Sequence, residues 1–211
     1  MLFRSAMYAG LSVFGNPKDS SVFEATDNGM TGRYLGFHNM MLGVDEISNK
    51  DPKILSQLVH KVSQGKAKIR MQASVNAERD HEMSASMICV MTTNESAISK
   101  FEMIKGSADG EKARMIEFVI RVPQCLECDA GLKLGRQIFD PFRHNYGHAG
   151  TPYIQKLMEL GDNYVLDTEE RWRDRFSKDF KGSTEYRFYV NLMSSVMTAG
   201  EIVVGQMGML E

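Results

Sequence analysis

The sequence predicts an α/β protein, with a mostly parallel β-sheet in its first half and a helical C-terminal part. Apolar runs of strand length alternate with helix-type segments in the first half of the chain. These runs are continuous rather than alternating, as in strands covered by helices on both faces. After Pro123 the apolar pattern becomes helical. We therefore expect a core over residues 1–123 and a helical subdomain over residues 124–211.

Each predicted helix or strand is marked by a residue that typically ends such an element or by a regular spacing of apolar residues. Helices are predicted over 5–15, 28–35, 51–65, 151–161 and 183–204, and a further helical period is marked by Trp172, Phe176 and Phe180. Strands are predicted over 20–26, 39–44, 85–93 and 113–123, with 66–74 as one arm of a hairpin. The helix over 51–65 has Asp51 as N-cap, Pro52 in its first turn and Gly65 as its stop. Its apolar stripe consists of Ile54, Leu55, Leu58, Val59 and Val62.

Composition excludes several classes of protein. The 211 residues are 43% hydrophobic and 25% charged, with a net charge of −2, so any nucleic-acid contact has to be local. No apolar run approaches the roughly 18–20 residues that cross a bilayer. The chain starts without a secretory signal and has three cysteines, which indicates a reducing cytoplasm and no membrane partner.

Two predicted strands end in polar residues. "MMLGV" is followed directly by Asp45 and Glu46. About fifty positions further along the chain, "MICVMTT" is followed directly by Asn94. In an open parallel sheet, ligands bind beyond the carboxyl ends of the strands. One interpretation is a pair of solvated acids and a turn asparagine. The other is a Walker B element, in which Asp45 holds Mg²⁺, Glu46 polarises the water that attacks ATP, and Asn94 orients that water or contacts the phosphate. The second strand end favours this interpretation.

The chain resembles the phage and prophage P-loop ATPases grouped as domain of unknown function 927, which are predicted helicases. The resemblance is carried, in order along most of the chain, by "GLSVFGNP", "ATDNGMTG", "FHNMMLGVDEISNKDP", "VSQGKAKIR", "NYGHAGTPYIQKL" and "RFYVNLMSSVMTAGEIV". It implies a P-loop NTPase-type core that uses ATP and Mg²⁺ and acts on DNA during replication in a bacterial cytoplasm. Similarity to AAA+ and superfamily-three helicases further implies a homo-oligomeric ring.

The chain departs from this family in one respect, because it contains no Gly-x-x-x-x-Gly-Lys-Ser/Thr phosphate loop. In the family this Walker A loop directly precedes the helix that matches "AMYAGLSVFGNP". We therefore expect an N-terminally truncated fragment that is inactive by itself. Two alternatives stay open. One is a non-catalytic binding or assembly module with a degenerate NTPase fold. The other is a DNA-packaging motor ATPase, although such motors usually continue into a nuclease domain whose acidic cluster is not found after Pro123.

Five basic residues are further candidates. Lys66, Lys68 and Arg70 alternate, so a strand would place them on one face. The resemblance to superfamily-three helicases implies a DNA-contacting hairpin here, and the alternative is a solvated face. Arg114 follows Asn94 by twenty positions. In ring ATPases an arginine near this place reaches the neighbouring subunit's ATP, and the alternative is a surface residue at a strand start. Arg187 is a candidate lid arginine that touches the nucleotide.

A zinc site is an additional hypothesis. Cys125 and Cys128 precede His144 and His148 with the spacing of a two-Cys, two-His site. Against it, the intervening segment contains glycines and a proline where a compact finger requires a helix. The family resemblance also accounts for "NYGHAG" without a metal.

Overall fold

The computed structural model describes residues 2–22, 27–65, 71–72, 77–78, 84–120, 129–181 and 186–209. The first half contains, in order, α1 (Leu2–Leu11), β1 (Ser21–Val22), α2 (Asp27–Phe37), β2 (Leu42–Val44), α3 (Pro52–Gln64), β3 (Met71–Gln72), β4 (Ala77–Glu78), β5 (Cys89–Met91), α4 (Ala97–Lys105) and α5 (Asp109–Lys112). The second half contains α6 (Asp129–Phe139), a 3₁₀ helix (Asp140–Arg143), α7 (Gly150–Asp179), α8 (Arg187–Glu201) and a π-helical turn (Ile202–Gln206). The predicted α/β character is confirmed.

Strands β1, β2 and β5 form a parallel sheet in the order β1-β2-β5. Val22 lies opposite Val44 across the first pair, and Val44 lies opposite Met91 across the second. Because β2 is central, its carboxyl end lies directly beside the carboxyl end of β5. β3 and β4 form a separate antiparallel pair, which agrees with the predicted hairpin arm at Met71–Gln72; the rest of that arm, 66–70 and 73–74, lies outside the described residues.

Helices cover both faces of the central strand. Leu42 and Val44 are fully buried in the main hydrophobic cluster, which also contains side chains of α2, α3 and α4. Gly43 points to the opposite face, since successive strand residues alternate. A Cβ atom at Gly43 would lie 2.7 Å from Leu11 Cδ1 and 2.8 Å from Met7 Sδ, so α1 packs directly on the strand backbone.

Helix α3 begins and ends as its end signals predict. The Asp51 side chain accepts a hydrogen bond of 2.7 Å from the Lys53 amide, and Gly65 adopts the left-handed conformation with φ of 63°. Leu55, Leu58 and Val59 are buried. Ile54, which belongs to the same apolar stripe, is 50% exposed.

The strand predicted over 113–123 is absent from the described residues of that range. Arg114 lies in a turn after α5, and residues 115–120 have no regular secondary structure. The Tyr189 hydroxyl is within hydrogen-bonding distance of the carbonyl oxygens of Lys112 (2.6 Å) and Met115 (2.8 Å). Tyr189 therefore contacts the end of α5 and, at Met115, one main-chain acceptor within the range predicted as a strand.

The second half is built around the packing of α8 against α7. The backbone of α7 is interrupted at Gly161, where φ is 75° and ψ is 163°, as the predicted helix stop requires. Further along α7, the Arg171 guanidinium and the Trp172 indole donate to Glu201 at 2.6 and 2.9 Å. The predicted boundary at Pro123 lies outside the described residues and stays a prediction.

One helical segment satisfies the length and composition of a membrane span. Arg187–Gln206, which comprises α8 and the π-helical turn, has a mean hydropathy of 1.2 over its best window. The sequence-based statement that no segment approaches this length was therefore too strict. A helix that packs within a folded protein passes the same test, and α8 packs against α7 with Val190, Ser194 and Thr198 buried.

Candidate functional site

The ends of β2 and β5 bring three predicted site residues together. Asp45 and Glu46 follow β2, and Asn94 lies three positions after β5. The backbone amide of Thr92 donates to Val44 O at 3.0 Å, and the amide of Ile47 donates back to Thr92 O at 2.9 Å. These bonds extend the strand pairing past the carboxylates. The predicted adjacency of the two strand ends is therefore confirmed.

Asp45 is a buried carboxylate with two partners. Its side chain is only 9% exposed. Its Oδ1 accepts a hydrogen bond of 2.7 Å from the Thr92 hydroxyl, and its Oδ2 forms an ion pair with the Arg4 guanidinium from α1. A buried carboxylate needs such compensation because removing a charge from water is costly. In this structure the compensation comes from a hydroxyl group and a cation.

Glu46 has an unusual backbone and a partly unsatisfied side chain. Its φ is 56°, in the left-handed region that residues other than glycine rarely adopt. Glu46 Oε2 accepts a hydrogen bond of 3.1 Å from Asn94 Nδ2. Glu46 Oε1 is buried and has no hydrogen-bond partner in the described part of the chain. Strained backbone and unsatisfied buried oxygens both concentrate at functional sites.

The loops after the two strands are also tied to each other. The Asn94 amide donates to Ser48 Oγ at 2.9 Å, and the Ser48 and Thr93 hydroxyls are 3.2 Å apart. Lys100 of α4 donates to the Ser48 carbonyl oxygen and forms an ion pair of 3.0 Å with Glu95. The backbone around Asn94 is thus fixed from both β2 and α4.

The oxygen groups at this edge are suited to magnesium. Asp45, Glu46 and Thr92 offer carboxylate and hydroxyl oxygens, the hard ligands that Mg²⁺ prefers, and Glu46 Oε1 is without a partner there. The described residues contain no group of three or more His, Cys, Asp or Glu side chains positioned for a metal. Mg²⁺ is usually held by one or two carboxylates together with water and phosphate oxygens, so the residues present fit it.

Arg114 and Arg187 make their contacts elsewhere. Arg114 donates to Gly110 O at 2.6 Å, and its guanidinium lies 5.6 Å from the centre of the Phe188 ring. Arg187 lies 4.9 Å from the same ring. The two arginines therefore flank the Phe188 ring of α8. Asp45, Glu46 and Asn94 lie instead at the neighbouring ends of β2 and β5.

Several candidates fall on residues outside the described ranges. Lys66, Lys68 and Arg70 are among them, as are Cys125 and Cys128, so the DNA-contact and zinc hypotheses stay predictions. The segment before His144 does contain a helix, α6, which the sequence analysis did not predict. The argument that glycines exclude a helix there was therefore wrong.

Two residues that contact Asp45 were not singled out from the sequence. Thr92 is one of the polar residues in "VMTTN", so its position at the end of an apolar run was a usable signal. Arg4 carries no comparable signal, because its proximity to Asp45 depends on how α1 packs over β2.

Comparisons with known proteins agree with these features. The family model "Domain of unknown function (DUF927)" matches residues 5–82, a range that includes Asp45 and Glu46 and ends before Asn94. The fold is similar to that of the solved structure "SCCmec type IV Cch - active helicase", with a TM-score of 0.68 and 17% sequence identity. The similarity covers 95% of this chain and 35% of that one, so this chain spans about a third of its length. A search of curated proteins finds no match.

Proposed function

We propose that this chain is part of a P-loop-type ATPase of the helicase class, with its hydrolytic residues at the ends of β2 and β5. The observation that carries the proposal is the junction of Asp45, Glu46 and Asn94, where one carboxylate oxygen of Glu46 is buried and has no hydrogen-bond partner among the described residues. The similarity of fold to an active helicase and the family match over residues 5–82 support it.

Each residue of the junction has a distinct function in this proposal. Asp45 would hold Mg²⁺, which, when bound, supplies positive charge to the phosphate oxygens of ATP. Glu46 would polarise the attacking water through Oε1, the oxygen that Asn94 leaves free. Asn94 would fix the rotation of the Glu46 side chain and contact the water or the terminal phosphate. Arg114 would act on the ATP of a neighbouring subunit, and Arg187 would serve as the lid arginine.

The wider context is proposed for a longer protein that would include this chain. The phosphate loop that an ATPase requires is not in this sequence, and the chain spans only 35% of the helicase chain whose fold it shares. We propose that the longer protein carries this loop, forms a homo-oligomeric ring and remodels DNA during phage or prophage replication in a bacterial cytoplasm. Lys66, Lys68 and Arg70, which precede β3 in the sequence, would contact the DNA backbone.

A second candidate function is a non-catalytic binding or assembly module. One observation favours it: both oxygens of Asp45 are already engaged, by Thr92 and by Arg4. In this alternative the ion pair with Arg4 stabilises the fold and keeps the Asp45 carboxylate from binding a metal ion.

ATP hydrolysis by a longer version of the protein, one that includes a Gly-Lys-Ser/Thr loop, separates the two candidates. The ATPase proposal predicts hydrolysis that requires Mg²⁺ and is lost in Asp45→Asn. Absence of hydrolysis, or equal hydrolysis in Asp45→Asn, would contradict the proposal and favour the binding module.

A further inference from the structure

The Thr92 side chain contacts both acidic residues of the junction at once. Its hydroxyl donates to Asp45 Oδ1 at 2.7 Å and accepts from the Glu46 amide at 2.9 Å. A hydroxyl has a single proton, so donating it to Asp45 fixes the direction of its acceptor lone pairs. The residue is buried, with 8% of its surface exposed.

The Thr92 main chain is held in place at both its amide and its carbonyl group. Its amide is bonded to Val44 and its carbonyl to Ile47, so Thr92 is held on both sides of the Asp45-Glu46 pair. The adjacent Thr93 provides a contrast. Its hydroxyl donates to Glu95 O at 2.7 Å and lies 3.2 Å from Ser48 Oγ, without contact to either acid.

We propose that Thr92 is the positioning residue for both carboxylates. It orients Asp45 through Oδ1, and it supports the left-handed backbone of Glu46 by accepting that residue's amide proton. The Glu46 backbone in turn sets the direction in which Oε1 is presented. This inference deepens the proposed function, and its metal-binding part rests on that function. The contact between Thr92 and Glu46 is tested independently of metal binding.

The test compares variants of the full 211-residue chain in an Arg4→Ala background, in which no guanidinium competes for Asp45. Thr92→Val keeps the shape of the side chain and removes both hydrogen bonds, Thr92→Ser restores the hydroxyl, and Thr93→Val is the matched control. If valine is not accepted at this buried position, Thr92→Ala takes its place, and the same results are expected. The readouts are Mn²⁺ affinity and hydrogen exchange at the Glu46 amide.

Thr92→Val is expected to bind Mn²⁺ at least about tenfold more weakly, the effect typical of residues that orient metal ligands. Exchange at the Glu46 amide should accelerate by a similar factor. Thr92→Ser should restore both values to within about threefold of the Arg4→Ala reference, and Thr93→Val should change neither. Unchanged exchange in Thr92→Val, or Mn²⁺ affinity within about twofold of the reference, would overturn the inference. Absence of Mn²⁺ binding in the reference itself would contradict the proposed function, and the exchange result would then decide whether Thr92 anchors Glu46.

Discussion

Asn94 donates a 3.1 Å hydrogen bond to Glu46 across the ends of two adjacent parallel strands. The bond uses one carboxylate oxygen of Glu46 and leaves the other, Oε1, buried without a partner among the described residues. A carboxylate whose rotation is fixed and whose second oxygen is free is suited to accept a proton from a water molecule. The predictions below begin with this residue.

Glu46→Gln is expected to separate ATP binding from ATP turnover. An amide of the same shape keeps the contact with Asn94 possible but cannot accept a proton. In a longer version that hydrolyses ATP, turnover should fall by about 10²–10⁴-fold, while ATP affinity should stay within about threefold. Steady-state hydrolysis and equilibrium nucleotide binding measure the two effects. Glu170→Gln, an exposed change on α7, is the control. Equal turnover in Glu46→Gln and wild type would rule out the assigned function.

Lys66, Lys68 and Arg70 are expected to determine how the affinity for DNA depends on salt concentration. Each phosphate contact contributes about 0.9 to the slope of log affinity against log salt on duplex DNA, or about 0.7 on single strands. Replacing Lys66, Lys68 and Arg70 by alanine should therefore flatten the slope by roughly two to three units. The longer version is titrated with DNA across a salt series.

A control variant for this experiment removes the same amount of positive charge from another part of the chain. Lys133, Arg136 and Arg143 are exposed residues of α6 and the 3₁₀ helix. Their replacement by alanine should leave the salt slope unchanged. If the two triple variants flatten the slope equally, Lys66, Lys68 and Arg70 form no specific DNA contact.

Phe101 is expected to be a principal stabilising residue of the core. Its side chain is 1% exposed within the main hydrophobic cluster, whereas Met103 on the same helix is 85% exposed. Phe101→Ala should lower the free energy of unfolding by about 3–5 kcal/mol, through lost burial and a residual cavity. Met103→Ala should change it by less than about 0.5 kcal/mol. Urea unfolding compares the two variants, and similar losses in both would contradict the described packing of α4.

The contact between α7 and α8 is expected to weaken at acid pH. The hydrogen bond from Arg171, followed by that from Trp172, lowers the pKa of Glu201 below its usual value of 4.5. Because the folded-state pKa is the lower one, Glu201 stabilises the fold at pH values above its unfolded-state pKa. That stability is lost as the pH falls through the folded-state pKa.

Trp172 makes this titration visible, since it is the only tryptophan in the sequence. Its indole donates to Glu201 at 2.9 Å, so the fluorescence should change with a midpoint below pH 4.5. Glu201→Gln should remove this transition, and Glu170→Gln should retain it. A transition of the same midpoint in Glu201→Gln would assign it to another group.

Local sequence signals predicted the elements that depend on local interactions. The Asp51 cap, the Gly65 stop and the kink at Gly161 each follow from the chemistry of one residue and its neighbours in sequence. Residues 113–123 were predicted as a strand from their apolar content and from Pro123 as the end of the run. Strand formation also requires a partner strand, and in the described part of this segment the Met115 carbonyl instead accepts from Tyr189 of α8. The sequence contains no local signal for that contact.

The residues of the candidate site also fall into two groups, those that a local sequence signal predicts and those that it does not. Asp45, Glu46 and Asn94 were predictable because apolar runs that end in polar residues indicate strand ends, and parallel strands align those ends. Thr92 and Arg4 become part of the site only through tertiary contacts with Asp45. Such contacts depend on the packing of β5 and α1 against β2, which residue spacing along the chain does not determine.

Mn²⁺ binding at Asp45 tests the central claim most directly, with Mn²⁺ standing in for Mg²⁺ because both favour oxygen ligands. Arg4→Ala removes the guanidinium paired with Asp45, so this variant should bind one Mn²⁺ at least about tenfold more tightly than wild type, a difference of about 1.4 kcal/mol. Adding Asp45→Asn to Arg4→Ala should abolish that binding. Titration followed by electron paramagnetic resonance measures all three proteins. Equal Mn²⁺ affinity with and without the Asp45 carboxylate would contradict the claim that this strand end is a metal site.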